Sequence, residues 1–392
     1  MKRHVITALA ALTFTLSMFA CYASAQTTGN WDQYGFAPSG GRDNIYETVL
    51  GVSNVYSLKA NWTFNGSNAY LSSTSVAVDS GLVFFPVVQG ELCAADVNTG
   101  NVVWTFTNGF PPGSSPTVAN GLVYAWFQTS NNAGALYALN ENTGAVVWSS
   151  PTSGTVRYVT AANGVLYFGI AGTVYAVSAS TGSALWDFQT TGTGVSAPAV
   201  ANGAVYVTSA NENLYALNAN SGAEQWQVGL SGAPGTPVIV NGELYVQAWS
   251  LTTGSHVWAY VAATGRVLWG YYLGNAVVKD LAVANGVVYF GTGGPFYALN
   301  ATTGALKWTF NASVSGVPAV ANGVVYIGTT SQYFYALNAA TGAQLLRYNL
   351  GVGYVSYSSG IPVVASGVLY IPSVGPYAPG MTGQYLFHFT PK

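Results

Sequence analysis

Arg157, Lys279 and Asp280 stand where the pattern around them calls for small residues. Six positions before each of eight turns of Asn-Gly or Ser-Gly type, the start of a short apolar strand carries Thr74, Ser114, Ser196, Gly235, Gly316 or Gly360, whereas two copies carry Arg157 and Lys279, with Asp280 directly after the latter. A guanidinium presents a rigid fork of donors that matches carboxylate or phosphate. Charges at equivalent strand starts would therefore make a shallow anion or polar-ligand site. A solvated Lys279 and Asp280 pair with Arg157 on the surface is the competing account, because exposed ion pairs contribute little and need no function.

A second set is aromatic. One repeat is longer than the others and inserts Trp249 and His256, with Trp258 beside them, while another adds Trp126 and Phe127. Segments that depart from a repeat are where binding residues concentrate. Trp249 and Trp126 are the candidate aromatic contacts for a glycan or an apolar protein segment. Trp258, on a strand, reads as core.

Other chemistries lack their residues. Beyond the leader the histidines are His256 and His388, without metal-ligand spacing to a partner. His388 reads as a packing residue. There is no Gly-x-Ser-x-Gly elbow and no phosphate loop; Gly291-Thr292-Gly293-Gly294 is a Gly-rich turn. No catalytic residue and no metal site is assigned.

Composition narrows the classes further. Of 392 residues only 10 are Lys or Arg and 12 are Asp or Glu, so charged residues are 6% against roughly 25% in an average domain. That cannot supply the basic stripe of a nucleic-acid binder. With 50% hydrophobic residues the chain is not disordered either. Lys2 and Arg3, the apolar run from Val5 to Ala20 and Ala23-Ser24-Ala25 form a signal peptide over residues 1–25, predicting export to the periplasm or the medium. Acylation at Cys21 is disfavoured by the bulky Phe19 before it. The remaining cysteine, Cys93, has no partner for a disulfide, and no later apolar run is long enough for a membrane helix. A soluble monomer over residues 26–392 is expected.

The elements that must position these residues are set by repetition. Turns at Asn120-Gly121, Asn163-Gly164, Asn202-Gly203, Asn241-Gly242, Asn285-Gly286 and Asn322-Gly323, with Ser80-Gly81 and Ser366-Gly367, recur about every 41 residues. Asn-Gly suits a two-residue hairpin because both central residues need positive φ. After each hairpin comes another strand, a Thr-Gly or Ser-Gly turn and a strand with Trp, an 11-residue span that ends at Trp104, Trp148, Trp186, Trp226, Trp269 and Trp308. Leu346 takes the Trp position in a further copy. Four strands per repeat predict an all-β, eight-bladed β-propeller of four-stranded antiparallel blades. The last repeat lacks a fourth strand, and residues 56–65, with Trp62, are expected to supply it and close the ring.

The span Ala-x-Asn-x-x-Thr-Gly-x-x-x-Trp resembles the tryptophan-docking motif of the pyrroloquinoline-quinone-type repeat family, that of the quinoprotein alcohol dehydrogenases. Trp31-Asp32-Gln33-Tyr34-Gly35 and the segment from Asn54 to Trp62 are similar to that family's N-terminal strand. The resemblance implies the propeller fold over nearly all of residues 26–392. It also implies three functions to choose among: a quinone-dependent oxidoreductase using PQQ with calcium, a subunit that helps assemble outer-membrane barrels, or an exported binding propeller. Departures from the dehydrogenase pattern, a single Cys93 instead of two adjacent cysteines and scattered acids, favour a non-enzymatic scaffold for a protein, peptide or glycan partner. A hard cation wants 6 to 8 oxygens, usually with several carboxylates.

Overall fold

Each Asn-Gly pair forces the chain back on itself, and the backbone shows it: Asn120 sits at φ 54° and Gly121 at 75°, with the same positive pair at the other hairpins, including Ser80-Gly81 and Ser366-Gly367. A computed structural model of the chain describes residues 30–67, 75–87, 90–110, 112–130, 133–314, 316–331, 333–350, 361–378 and 381–392. The expected signal segment 1–25 with Cys21, and the strand-start residues Thr74 and Gly360, lie outside the described residues.

Eight sheets, each built on four antiparallel strands, follow one another as an eight-bladed propeller. Blade 1 is built from Ala77–Asp79, Leu82–Val87, Glu91–Asp96 and Val102–Thr107. Blades 2 to 7 repeat the plan, with inner strands Thr117–Ala119, Val159–Ala162, Ala199–Ala201, Val238–Val240, Ala282–Ala284 and Ala319–Ala321. Blade 8 combines Val363–Ala365, Val368–Ala378 and Met381–Thr390 with Lys59–Ser67 from near the other end of the chain. Lys59 pairs with Thr390 and Phe64 with Leu386, which closes the ring as expected. The closing strand begins at Lys59, not at residue 56, because Val55–Ser57 forms one turn of 3-10 helix.

Packing lies between blades. Ala282, Tyr289 and Phe296 of blade 6, for example, share a core with Val320, Ile327 and Leu337 of blade 7. The docking tryptophans fasten that contact from outside. Trp186 of blade 3 donates its indole N–H to the Ala219 carbonyl of blade 4 at 2.9 Å, and Trp148, Trp226, Trp269 and Trp308 do the same for their next blades. Each ring lies across a turn glycine: a Cβ on Gly222 would fall 2.6 Å from Trp186, so only glycine, here at φ +72°, fits beneath it.

Leu346 breaks the rule for a topological reason. Blade 8 draws its third and fourth strands from opposite ends of the chain, so no turn joins them for a blade 7 tryptophan to cover. The same gap leaves the Tyr326 hydroxyl of blade 7 buried without a partner. The equivalent Tyr289 of blade 6 donates to the Ala339 carbonyl.

Candidate functional site

The inner strands of a propeller leave N–H groups facing the axis, and these must be satisfied. Here residues 31–44 do it by winding once around the axis in blade order. Trp31 and Val78 exchange two backbone hydrogen bonds; Val118 donates to the Asp32 carbonyl, Val200 to Pro38, Ile239 to Ser39, Val283 to Gly41 and Val320 to Arg42. Ala161 donates to the Gln33 side chain, and the Asn44 amide donates to the Val364 carbonyl. All eight contacted residues lie two positions before a hairpin. The segment from Trp31 is thus a plug wound through the axis, and its end, Asp43–Asn44, adds a short parallel strand beside the inner strand of blade 7.

Arg42 anchors the plug. It is 1% exposed and donates to the carbonyls of Pro318, Pro362 and Tyr34. Its guanidinium lies 5.2 Å from the Trp31 ring and 5.3 Å from the Tyr34 ring. Burial pulls it down to about 10, with Tyr34 and Asp280 opposing, so it stays charged at neutral pH. Tyr34 packs on Tyr158 at 4.5 Å and donates its hydroxyl to Asp280.

The expected channel-mouth residues fall at equivalent places, on blades 3 and 6, three blades apart. Asp280 faces inward: besides Tyr34 it accepts from the Thr236 N–H at 3.2 Å and from the Gln247 amide at 2.9 Å. Lys279 is half-buried beside it, its N–H bonded to the Gly291 carbonyl. Arg157 is exposed and borders a shallow hollow of about 160 Å³ with Tyr158, Val195 and Ser196. Lys279 and Asp280 border no part of that hollow. The space left on the axis around Tyr34, Arg42 and Asp280 is about 20 Å³, about the size of one water. The described residues here do not fit a quinone with calcium. The room is too small, and Asp280 already serves the plug.

Of the two aromatic candidates, one is corrected. Trp126 is 4% exposed, its indole N–H donating to Thr152 Oγ1 at 2.7 Å and its ring lying against Gly113 and Gly134. It is a core residue, since the strand Leu122–Ser130 turns it inward, and it offers no contact surface. Trp249 is half-buried at a strand end. Close by, Leu251 is 83% and Tyr272 62% exposed, and His256 packs between Trp258 and Tyr272. His388 is buried, stacked 4.7 Å from Trp62, and burial lowers it to about 4. Cys93 is buried, its thiol pushed up to about 12 by burial and then by Glu91.

A site without a sequence-level candidate lies on the hairpin face. A cavity of about 520 Å³ spans the turns of blades 1 to 4, with Asp32, Asp79 and Glu141 in its wall. Asp79 immediately precedes its hairpin, where the other seven blades carry alanine or, once, Val240. Glu141 follows the third strand, where every other blade with this turn has alanine or Val97. Comparing the copies at these two positions would have found both. Glu141 is 3% exposed, and its Oε1, like Asp32 Oδ1, is buried without a hydrogen-bond partner. Burial, then Asp79 and Glu141, push Asp32 up to about 8; burial and Asp79 also raise Glu141.

An aspartate in the unfolded chain titrates near 4, so the fold holds a proton at Asp32 that the unfolded chain has released. Stability from this group is fully present below about pH 4 and is lost as pH rises through about 8. Comparing thermal melts of wild type and Asp32→Asn is expected to show similar melting temperatures at the acid end and a growing advantage for the variant toward pH 8. A constant difference across that range would refute the assignment.

Comparison with known proteins matches a family model described as outer membrane protein assembly factor BamB at residues 52–154, 132–247, 210–315 and 294–376. BamB of Yersinia pestis is 27% identical over 243 residues, 59% of this chain and 51% of that protein. The dehydrogenase subunit of a quinone alcohol dehydrogenase from Gluconobacter oxydans is 42% identical over 90 residues, 20% of this chain and 11% of that protein. These matches span about half and about a tenth of the relatives' own lengths. The crystal structure of BamB from Moraxella catarrhalis superposes with a TM-score of 0.65 at 17% identity, covering 85% of this chain and 99% of that one, a likeness of fold.

Proposed function

The chain belongs to the PQQ-like repeat family of the outer membrane protein assembly factor BamB, and on that premise we propose that it is an exported, non-enzymatic propeller that binds a partner in the cell envelope. The observation that carries this reading is the plug. The axial position that a quinone cofactor would need is occupied by Tyr34, Arg42 and Asp280, and about 20 Å³ remains. A propeller whose axis is filled by its own chain presents surfaces instead of a reaction chamber. The N-terminal run from Val5 to Ala20 with Ala23-Ser24-Ala25 supports export. Among the described residues no helix is long and apolar enough to cross a membrane.

The partner surface we assign is the apolar edge of blade 5, where Leu251 and Tyr272 expose most of their surface beside Trp249. Exposed aromatic and aliphatic side chains gathered at one edge are a usual anchor for another protein. Placing a photo-crosslinking amino acid at Leu251 and irradiating in envelope extract is expected to give one discrete adduct, lost when Tyr272→Ser is added. Absence of any adduct, or one indifferent to Tyr272, would sink the assignment. Assistance to outer-membrane barrel assembly is the narrower form of this reading, favoured by the length of the BamB matches.

A further inference from the structure

We propose that the cavity on the hairpin face of blades 1 to 4 binds an organic cation, an ammonium or guanidinium group, through Asp32, Asp79 and Glu141. The proposal deepens the scaffold reading by giving the chemistry of what is held. It starts from the repeat, which closes and packs with alanine or valine at the two positions where blade 1 has Asp79 and blade 2 has Glu141. Neither acid is needed to build a blade. Both nevertheless meet in one cavity, together with Asp32 of the plug.

Crowding acids together is costly unless protons or a counter-charge are supplied; with no counter-charge Asp32 holds a proton, and a bound cation would let it ionise. Among the described residues lining the cavity there is no lysine, arginine or histidine. Glu141 Oε1 and Asp32 Oδ1 are left as buried acceptors without donors. Such acceptors carry a desolvation cost that a bound donor would relieve. Asp79 is already engaged by Asn30 and Ser80, which hold its carboxylate in place on the cavity wall.

The size of the cavity selects the class of cation. About 520 Å³ is far more than a bare metal ion fills, and no three acids, histidines or cysteines among the described residues are placed to share one. An ammonium or guanidinium group brings several N–H donors with an alkyl stem. The turn amides Asn120, Asn163 and Asn202 lie along the rim to accept further bonds, and Ala161 and Val200 offer apolar wall for the stem. A free polyamine and a lysine or arginine side chain of a partner protein share this chemistry.

Calorimetric titration of the mature protein at neutral pH separates the sources. The probes are spermidine, a capped pentapeptide with one arginine, the same peptide with citrulline, and calcium chloride. Saturable binding of spermidine or of the arginine peptide is expected, the tighter of the two naming the source, while citrulline and calcium are silent. Affinity should fall about tenfold or more in Glu141→Ala and in Asp79→Ala, and stay unchanged in Asp187→Asn, an exposed acid on blade 3. Alanine or valine is native to the other blades at both positions, so these variants fold, and Glu141→Ala should melt a few degrees higher than wild type once its buried charge is gone. Silence from both cations, affinity indifferent to the two alanine variants, or binding of calcium alone would overturn the proposal. A silent cavity with an intact envelope crosslink removes this site only; quinone binding at the axis would remove the scaffold reading and leave the cavity standing.

Discussion

Arg42→Ala is expected to destabilise the propeller more than any other single substitution of a charged residue, by about 4 kcal/mol, since each buried polar group left without its partner costs about 1–3 kcal/mol. Three carbonyls, those of Tyr34, Pro318 and Pro362, would lose their donor inside the axis, and two aromatic rings would lose the cation between them. The Arg42 carbonyl also accepts from the Val320 N–H of blade 7 in the ring of axial contacts. In a chain of this length the loss corresponds to a melting temperature lower by roughly 5 °C. Arg42→Lys restores charge but not the planar fork that reaches three acceptors, and should recover only part of it. A melt within a degree or two of wild type for Arg42→Ala would mean that the plug does not hold the blades.

Trp186→Ala tests the outer fastening. Its ring covers Gly222, its N–H is bonded to Ala219, and it packs 5.8 Å from Tyr167 at the seam of blades 3 and 4. Large-to-small changes at buried aromatics cost about 3–5 kcal/mol; Trp186 is half-buried, so about 3 kcal/mol is expected. Leu346→Ala is the matched control: it removes a side chain at the equivalent place, which packs near Val55 and Leu58 with no Thr-Gly turn beneath it, and should cost at least about 1 kcal/mol less. Equal losses, read by chemical denaturation, would mean that the tryptophans merely bury area and do not dock on the next blade.

The parts of the fold legible in the sequence are those fixed by local chemistry. Positive φ at Asn-Gly, glycine under a tryptophan and four short strands per period each leave a residue-level mark, so blade number and the closing strand could be read directly. The plug leaves no such mark. Residues 31–44 reach all eight blades, six of them through backbone groups and two through Gln33 and Asn44, and a carbonyl has no signature in sequence. The engagement of Asp280 by Tyr34 depends on that plug, so the strand-start comparison could find the charged residues without showing what holds Asp280. Trp126 is core where the sequence suggests a contact residue, because the period-2 alternation that decides which face it takes says nothing about whether a neighbouring blade covers that face. Asp79 and Glu141 are different: their marks are in the sequence, but only as single departures from alanine in register. Nothing in the repeat brings Asp32 to them.

The most direct test of the scaffold reading is calorimetric titration of the mature protein with pyrroloquinoline quinone, with and without calcium. With the axis filled by Tyr34 and Arg42, no saturable heat is expected under either condition. Saturable, calcium-dependent binding, followed by quinone-dependent dye reduction with an alcohol, would show that the plug yields to the cofactor and would contradict the account.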